Sequence, residues 1–333
     1  MLIFHSNNSR RPGFLLAFLA TALAVIVAAL GVYSRFTDTG FDCSEWLDCD
    51  GGFSVMRENT LEAFKHYIGV GGWTEIAHQL LSAVLTFLII LLAVNSWRLR
   101  QDDDYPFRLP TFILFLVLWQ SILGMWSVDL VLWPQAALVH LLGGIVICAL
   151  LWLLALRLDG KCWVASKEII SRLDKIKPWI TLAIIIVSIE AALGGWTSVK
   201  FAAFACPEFP SCQNAWWPKM NLQEGFNLIQ PLEIEALESK ARVAINVVHR
   251  LGALVATIYL LSLSAFLLTV LDYRVRRMGY MLAVVLFVQV IFVIGAGYVR
   301  DSAVSTIMHH LGSTLILLTL VSLASRVAYA KQK

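Results

Sequence analysis

Four histidines stand out because of the residues around them. His140-Leu141-Leu142-Gly143, His249-Arg250-Leu251-Gly252 and His309-His310-Leu311-Gly312 share a His-x-Leu-Gly core, and His78-Gln79-Leu80-Leu81 keeps all of it except the glycine. Each lies just inside the start of a long apolar run. Ionisable side chains within membrane segments are costly and mark functional sites. Imidazole is a good axial ligand for haem iron, and a histidine from each of two facing helices clamps a porphyrin between them. The pattern therefore points to haem ligation, with interfacial or hydrogen-bonded histidines as the plain alternative. The glycine three residues after His140, His249 and His309 shares the histidine's helical face, where it is expected to clear bulk from the path of a flat macrocycle.

Other metal chemistry fits less well. Glu75-Ile76-Ala77-His78 has the Glu-x-x-His spacing of di-iron bundles, but Ala137, Asn246 and Thr306 occupy the matching positions before the other three histidines. Glu75 occupies the first turn of its run, one turn before His78. It reads either as a carboxylate stabilised by the helix terminus or as an acid that handles a proton beside a bound ring. Glu190 is a second membrane acid to which the sequence gives no role.

The elements that position these residues follow from composition. The 333 residues are 59% hydrophobic and 15% charged, with a net charge of +3 and a mean hydropathy of +0.73. That describes a polytopic membrane protein and gives no case for nucleic-acid binding. Eight continuous apolar runs, near 14–34, 73–96, 108–129, 134–156, 179–198, 243–268, 279–299 and 304–325, predict eight transmembrane helices. Basic residues flank alternate connections: Arg10 and Arg11, Arg98 to Arg108, Arg157 to Lys177, Arg274 to Arg277, and Arg326 to Lys333. The positive-inside rule then puts both termini in the cytoplasm and all four histidines near the outer leaflet.

The chain repeats itself. Ala28-Ala29-Leu30-Gly31 returns as Ala191-Ala192-Leu193-Gly194, and the same offset carries Cys43 onto Cys206 and Cys49 onto Cys212. Gln120 precedes His140 by the same interval as Gln289 precedes His309. An all-α protein of two pseudo-symmetric four-helix bundles is expected, 1–165 and 166–333, joined by a basic loop near 158–177 and related as parallel repeats. The cysteine pairs Cys43–Cys49 and Cys206–Cys212 lie in outer loops, where disulfides persist; they read as structural staples or as redox-active dithiols. Arg250 and Arg242 are candidates for pairing with haem propionates, or for ordinary interfacial snorkelling.

With these residues assembled, the chain resembles the haem A synthase family, in its cysteine-containing bacterial branch. The likeness rests on Trp73-Thr74-Glu75-x-x-His78, Leu193-Gly194-Gly195-Trp196, the segment from Cys206 to Cys212 with Trp216-Trp217-Pro218 after it, and His249-Arg250-Leu251-Gly252. The resemblance implies a haem b cofactor held by His249 and His309. It implies haem O as substrate at His78 and His140, with Glu75 as the essential acid. The implied reaction oxidises the C8 methyl of haem O to a formyl group through hydroxylated intermediates, in a bacterial inner membrane. The expected partners are the enzyme that produces haem O, an electron-transfer partner and membrane lipid; a homo-oligomer is an open alternative. Three features depart from the family pattern. His310 follows His309, so the ligand register can slip by one residue; the first cysteine loop lacks a proline; and Leu81 replaces glycine. The competing function is a non-catalytic di-haem cytochrome b subunit that passes electrons. A parallel-repeat transporter ranks last, because the span centres are almost wholly apolar.

Overall fold

Apolar runs of some twenty residues fold as helices because lipid offers no partner for an open backbone hydrogen bond. The computed structural model describes residues 10–37, 73–102, 105–129, 134–206, 208–228, 237–296 and 302–332. Within them lie α1 (Phe14–Thr37), α2 (Trp73–Arg98), α3 (Arg108–Asp129), α4 (Pro134–Asp159), β1 (Val164–Ala165), α5 (Lys167–Val199), the single-turn α6 (Leu222–Gly225), α7 (Ser239–Leu268), α8 (Tyr273–Ala296), α9 (Ser302–Ala328) and β2 (Lys331–Gln332). The protein is thus nearly all-helical and multi-pass. Seven of the described helices are long and apolar enough to cross a membrane, and α3 supplies only the shorter apolar stretch Arg108–Gly124. Of the eight expected spans, the described residues therefore give seven full ones.

Two apolar clusters divide the helices. One draws Ala17, Ala20 and Ala24 of α1 together with Leu85, Ile89 and Leu92 of α2, Ile113 of α3 and Leu151, Leu154 and Leu158 of α4. The other joins Leu173, Ile176, Ile180 and Ala183 of α5 to Leu260, Leu263 and Leu267 of α7, Leu282 and Leu286 of α8 and Leu320 and Leu323 of α9. Spacings of three and four put each set on one helical face. Small alanines along α1 allow the close helix approach on which packing in lipid depends, since hydrocarbon tails are as apolar as leucine. Across the two sets, α9 packs on α4 and α1, and α4 on α5. Trp152 Nε1 of α4 donates to Ser322 Oγ of α9 at 2.7 Å. The outward faces of α7 and α8 carry exposed Leu254, Val255, Ile258, Val284, Phe287 and Ile291, as a lipid-facing surface does.

The segment expected to be a basic loop near 158–177 is largely helical. The helix α5 starts at Lys167 and runs through Pro178. Leu173 and Ile176 continue the buried stripe of Ile180 and Ala183, so packing extends the helix past the point where its apolar run begins. At this end Asp159 gathers Arg10 (3.6 Å), Lys161 (3.5 Å) and Arg326 (3.5 Å). β1 pairs in parallel with β2, Val164 with Lys331 and Ala165 with Gln332. Arg274, held bidentately by Asp272, donates to the Val164 carbonyl. That ion pair keeps the Asp272 carboxyl below its usual range. The residues just before α1, the connection between the clusters and the residues after α9 are thereby tied together at one end of the helices.

Candidate functional site

Each of the four histidines sits against a residue of the preceding long helix. His78 Nδ1 on α2 lies 3.0 Å from the Val27 carbonyl of α1. His140 Nδ1 on α4 lies 3.2 Å from the Gln120 carbonyl of α3. His249 Nδ1 on α7 lies 2.8 Å from Glu190 Oε1 of α5, at an angle outside that of an aligned hydrogen bond. His309 Nδ1 on α9 lies 2.7 Å from Gln289 Nε2 of α8. Glycines let the first three rings approach. A methyl added at Gly31, Gly124 or Gly194 would meet the Cε1 of His78, His140 or His249 at 2.8, 3.0 and 3.1 Å.

The partners settle where the protons are. Carbonyl oxygens accept only, so the Nδ1 atoms of His78 and His140 carry the hydrogen in these contacts. In the neutral ring the lone pair is then on Nε2, the arrangement in which histidines bind metals while a second group orients them. At His309 the amide of Gln289 also donates to the His309 carbonyl and to Ser313 Oγ, each at 3.0 Å, and its buried Oε1 has no hydrogen-bond partner. The opposite amide orientation exchanges the bond to the carbonyl for acceptance of the Nδ1 proton.

The rings of His249 and His309 face each other with centroids 6.0 Å apart and planes at 79°. Metal–imidazole bonds of about 2 Å place two axial ring centroids roughly 6.5 Å apart across one metal ion. The pair has the spacing for a shared iron. Among the described residues, no group of three or more His, Cys, Asp or Glu side chains is placed to hold a metal ion. Glu75 lies on the first turn of α2 and accepts a hydrogen bond from Gln79 Nε2 at 3.1 Å.

The glycines of the His-x-Leu-Gly motifs make room for a side chain of the neighbouring helix. A methyl at Gly143 would run into the Gln120 amide, one at Gly252 into the Glu190 carboxylate, and one at Gly312 into the Gln289 amide. The space is used by a long polar side chain from the neighbouring helix. Gln120 and Glu190 each stand four residues before the glycine on which the histidine rests, and on α1 that position is Val27. A short apolar side chain needs no cleft, and Val27 and Leu81 share the first apolar cluster. The missing glycine at position 81 therefore answers Val27. Sequence reasoning left Glu190 without a role. The recurrence of a polar residue four before the glycine was the signal that pointed to it.

The loop after α5 is fastened beside His249. Asn246 Nδ2 donates to the carbonyls of Ala202 (2.9 Å) and Ala203 (3.0 Å). The Arg250 guanidinium, one turn further on, donates to the carbonyls of Cys206 (2.6 Å), Glu208 (3.0 Å) and Ser211 (3.1 Å). Arg250 was a candidate for haem propionates; in the structure three of its five N–H donors go to this loop, where three carbonyls converge on its planar fork. Arg242 lines a cavity of about 290 Å³ with Phe201, Phe204, Ala205 and Ser239. The Cys206–Cys212 disulfide is formed and packs on Val243 and Val247 of α7. Cys43 and Cys49 lie outside the described residues. At the end of α5, burial pushes the Lys200 ammonium below its ordinary pKa, and its Nζ stands 5.1 Å over the Trp196 ring.

A family model described as cytochrome oxidase assembly protein, COX15-CtaA, matches residues 14–321. A heme A synthase of Shewanella oneidensis is 30% identical over 317 residues, 90% of this chain and 92% of its own length. A heme A synthase of Lysinibacillus sphaericus is 26% identical over 60% of this chain and 62% of its own. A protoheme IX farnesyltransferase of Roseiflexus castenholzii is 28% identical over a shorter stretch, 36% of this chain and 19% of its own.

Proposed function

Because the chain belongs to the COX15-CtaA family of cytochrome oxidase assembly proteins and so has a role in haem A biosynthesis, we propose that it is a haem A synthase. It oxidises the C8 methyl of haem O to a formyl group through hydroxylated intermediates. In this reading residues 166–333 form the half that keeps a haem b between His249 and His309, and residues 1–165 form the half that takes haem O between His78 and His140. The two halves are pseudo-symmetric four-helix bundles, with α3 completing the eighth span. The protein sits in the bacterial inner membrane with both termini in the cytoplasm and the histidines toward the outer leaflet.

The observation that carries the reading is the pairing of backbone carbonyls with Nδ1 of His78 and His140, alongside the 2.8 Å contact of His249 with Glu190 and the 6.0 Å approach of His249 and His309. Histidines held in this way present Nε2 to a metal. Haem b, when bound, supplies one-electron transfer. The chain's own residues do the rest. The Nδ1 partners fix each ring's rotation, and the apolar clusters on either side exclude water. Glu75, one turn before His78, offers a carboxylate that takes or returns a proton as the methyl group is oxidised. Haem O arrives from a haem O-producing enzyme; with water as the oxygen source, converting methyl to formyl releases four protons and four electrons, and the electrons leave to a separate carrier.

Expression with a haem O supply, followed by chromatography of the extracted haems, tests this. Haem A or its hydroxylated precursor supports the synthase. Haem b alone, with bis-histidine spectra from both halves, refutes it in favour of a non-catalytic di-haem electron-transfer subunit.

A further inference from the structure

Glu190 is the one acid among the four positions that back the histidines, and its surroundings are built to keep it there. Both of its oxygens are buried without a hydrogen-bond partner. Its only ion-pair contact among the described residues is His249 Nδ1 at 2.8 Å, with side-chain exposures of 17% and 18%. Gly252 on α7 leaves the cleft that the carboxylate fills, and Gly194, one turn along α5, lets the His249 ring approach that helix closely. The same position holds Val27 on α1 and glutamine on α3 and α8. A lone carboxylate in a membrane helix is expensive unless something offsets its charge, and histidine bound to a ferric iron does so.

We propose that Glu190 is a positioning residue for the C-terminal haem: its carboxylate, set against Nδ1 of His249, makes that imidazole a stronger electron donor and holds the iron at a lower midpoint potential than an amide would. A carboxylate behind a ligating histidine raises the ligand's basicity, and a negative charge near the iron favours its ferric state. His309, backed by the Gln289 amide, gets no such charge. The two axial ligands of one iron are therefore unequal, and the first half, with carbonyls behind both histidines, has no counterpart. The inference rests on the proposal that His249 and His309 share a haem.

Redox titration of the purified full-length protein, from cells that make haem b but no haem O, tests it. Glu190→Gln keeps the shape and removes the charge. It is expected to retain the low-spin haem spectrum and to raise the midpoint by at least a tenfold change in the reduction equilibrium, about 59 mV for one electron. Gly252→Ala, which displaces the carboxylate, is expected to shift the midpoint in the same direction. A smaller or opposite shift in Glu190→Gln overturns the proposal. Loss of the haem from that variant overturns it too, since the carboxylate would then build the site rather than tune it. His249→Ala separates the underlying reading: haem retained in that variant refutes ligation by His249, whatever Glu190 does.

Discussion

Replacing Arg250 with alanine removes three hydrogen bonds from a charged donor to the carbonyls of Cys206, Glu208 and Ser211, at 2.6, 3.0 and 3.1 Å. Hydrogen bonds to charged groups contribute about 1.5–3 kcal/mol each. The loop is partly exposed, so its carbonyls recover water when the clamp is lost, and the net cost falls to about 2–4 kcal/mol. The disulfide and Asn246 stay in place, so the cost appears as local opening of the loop. At about 1.4 kcal/mol per tenfold, the opening equilibrium rises roughly 30- to 1000-fold. Amide hydrogen exchange across residues 202–215, in detergent at fixed pH, reads this directly. Arg250→Lys is expected to recover little, because a single ammonium cannot match the fork. Exchange within threefold of the parent protein would refute the clamp. Unchanged exchange together with loss of bound haem would return Arg250 to the propionates.

Three further predictions use other parts of the structure. Val27→Gln alone is expected to lower stability, because the amide meets Leu81, and adding Leu81→Gly is expected to recover at least about 1 kcal/mol of that loss; additive thermal shifts would show that the two positions do not meet. Asp159→Asn removes the charge shared by Arg10, Lys161 and Arg326. It should cost about 1–2 kcal/mol, discounted because the Arg10 and Lys161 side chains are 61% and 48% exposed, and the melting temperature in detergent should fall; an unchanged melting temperature counts against the tie. Glu75→Ala should keep the C-terminal haem and lose haem A synthesis, and retained synthesis would remove Glu75 from the chemistry.

The helices and the four histidines were legible in the sequence because hydropathy and a repeated motif are local signals. The start of α5 was not, since Leu173 and Ile176 become helical through burial against other helices rather than through their own apolar run. What the motif glycines accommodate was not legible for a similar reason. A glycine records that space is needed without saying who uses it, and here the user is a glutamine or glutamate on the preceding helix. Arg250 looked like an anion site by its type, and only the course of the loop after Ala202 shows three carbonyls converging on it. Glu190 lacked a repeat partner, and that asymmetry is what sets it apart once its contact with His249 is seen.

The most direct test of the account separates the two histidine pairs. The haem content and absorption spectrum of the purified His78→Ala/His140→Ala protein are compared with those of His249→Ala/His309→Ala. The first is predicted to keep one low-spin haem b and to yield no haem A; the second is predicted to lose that haem. A resident haem b that survives loss of His249 and His309 but not of His78 and His140 would contradict the assignment of the two halves.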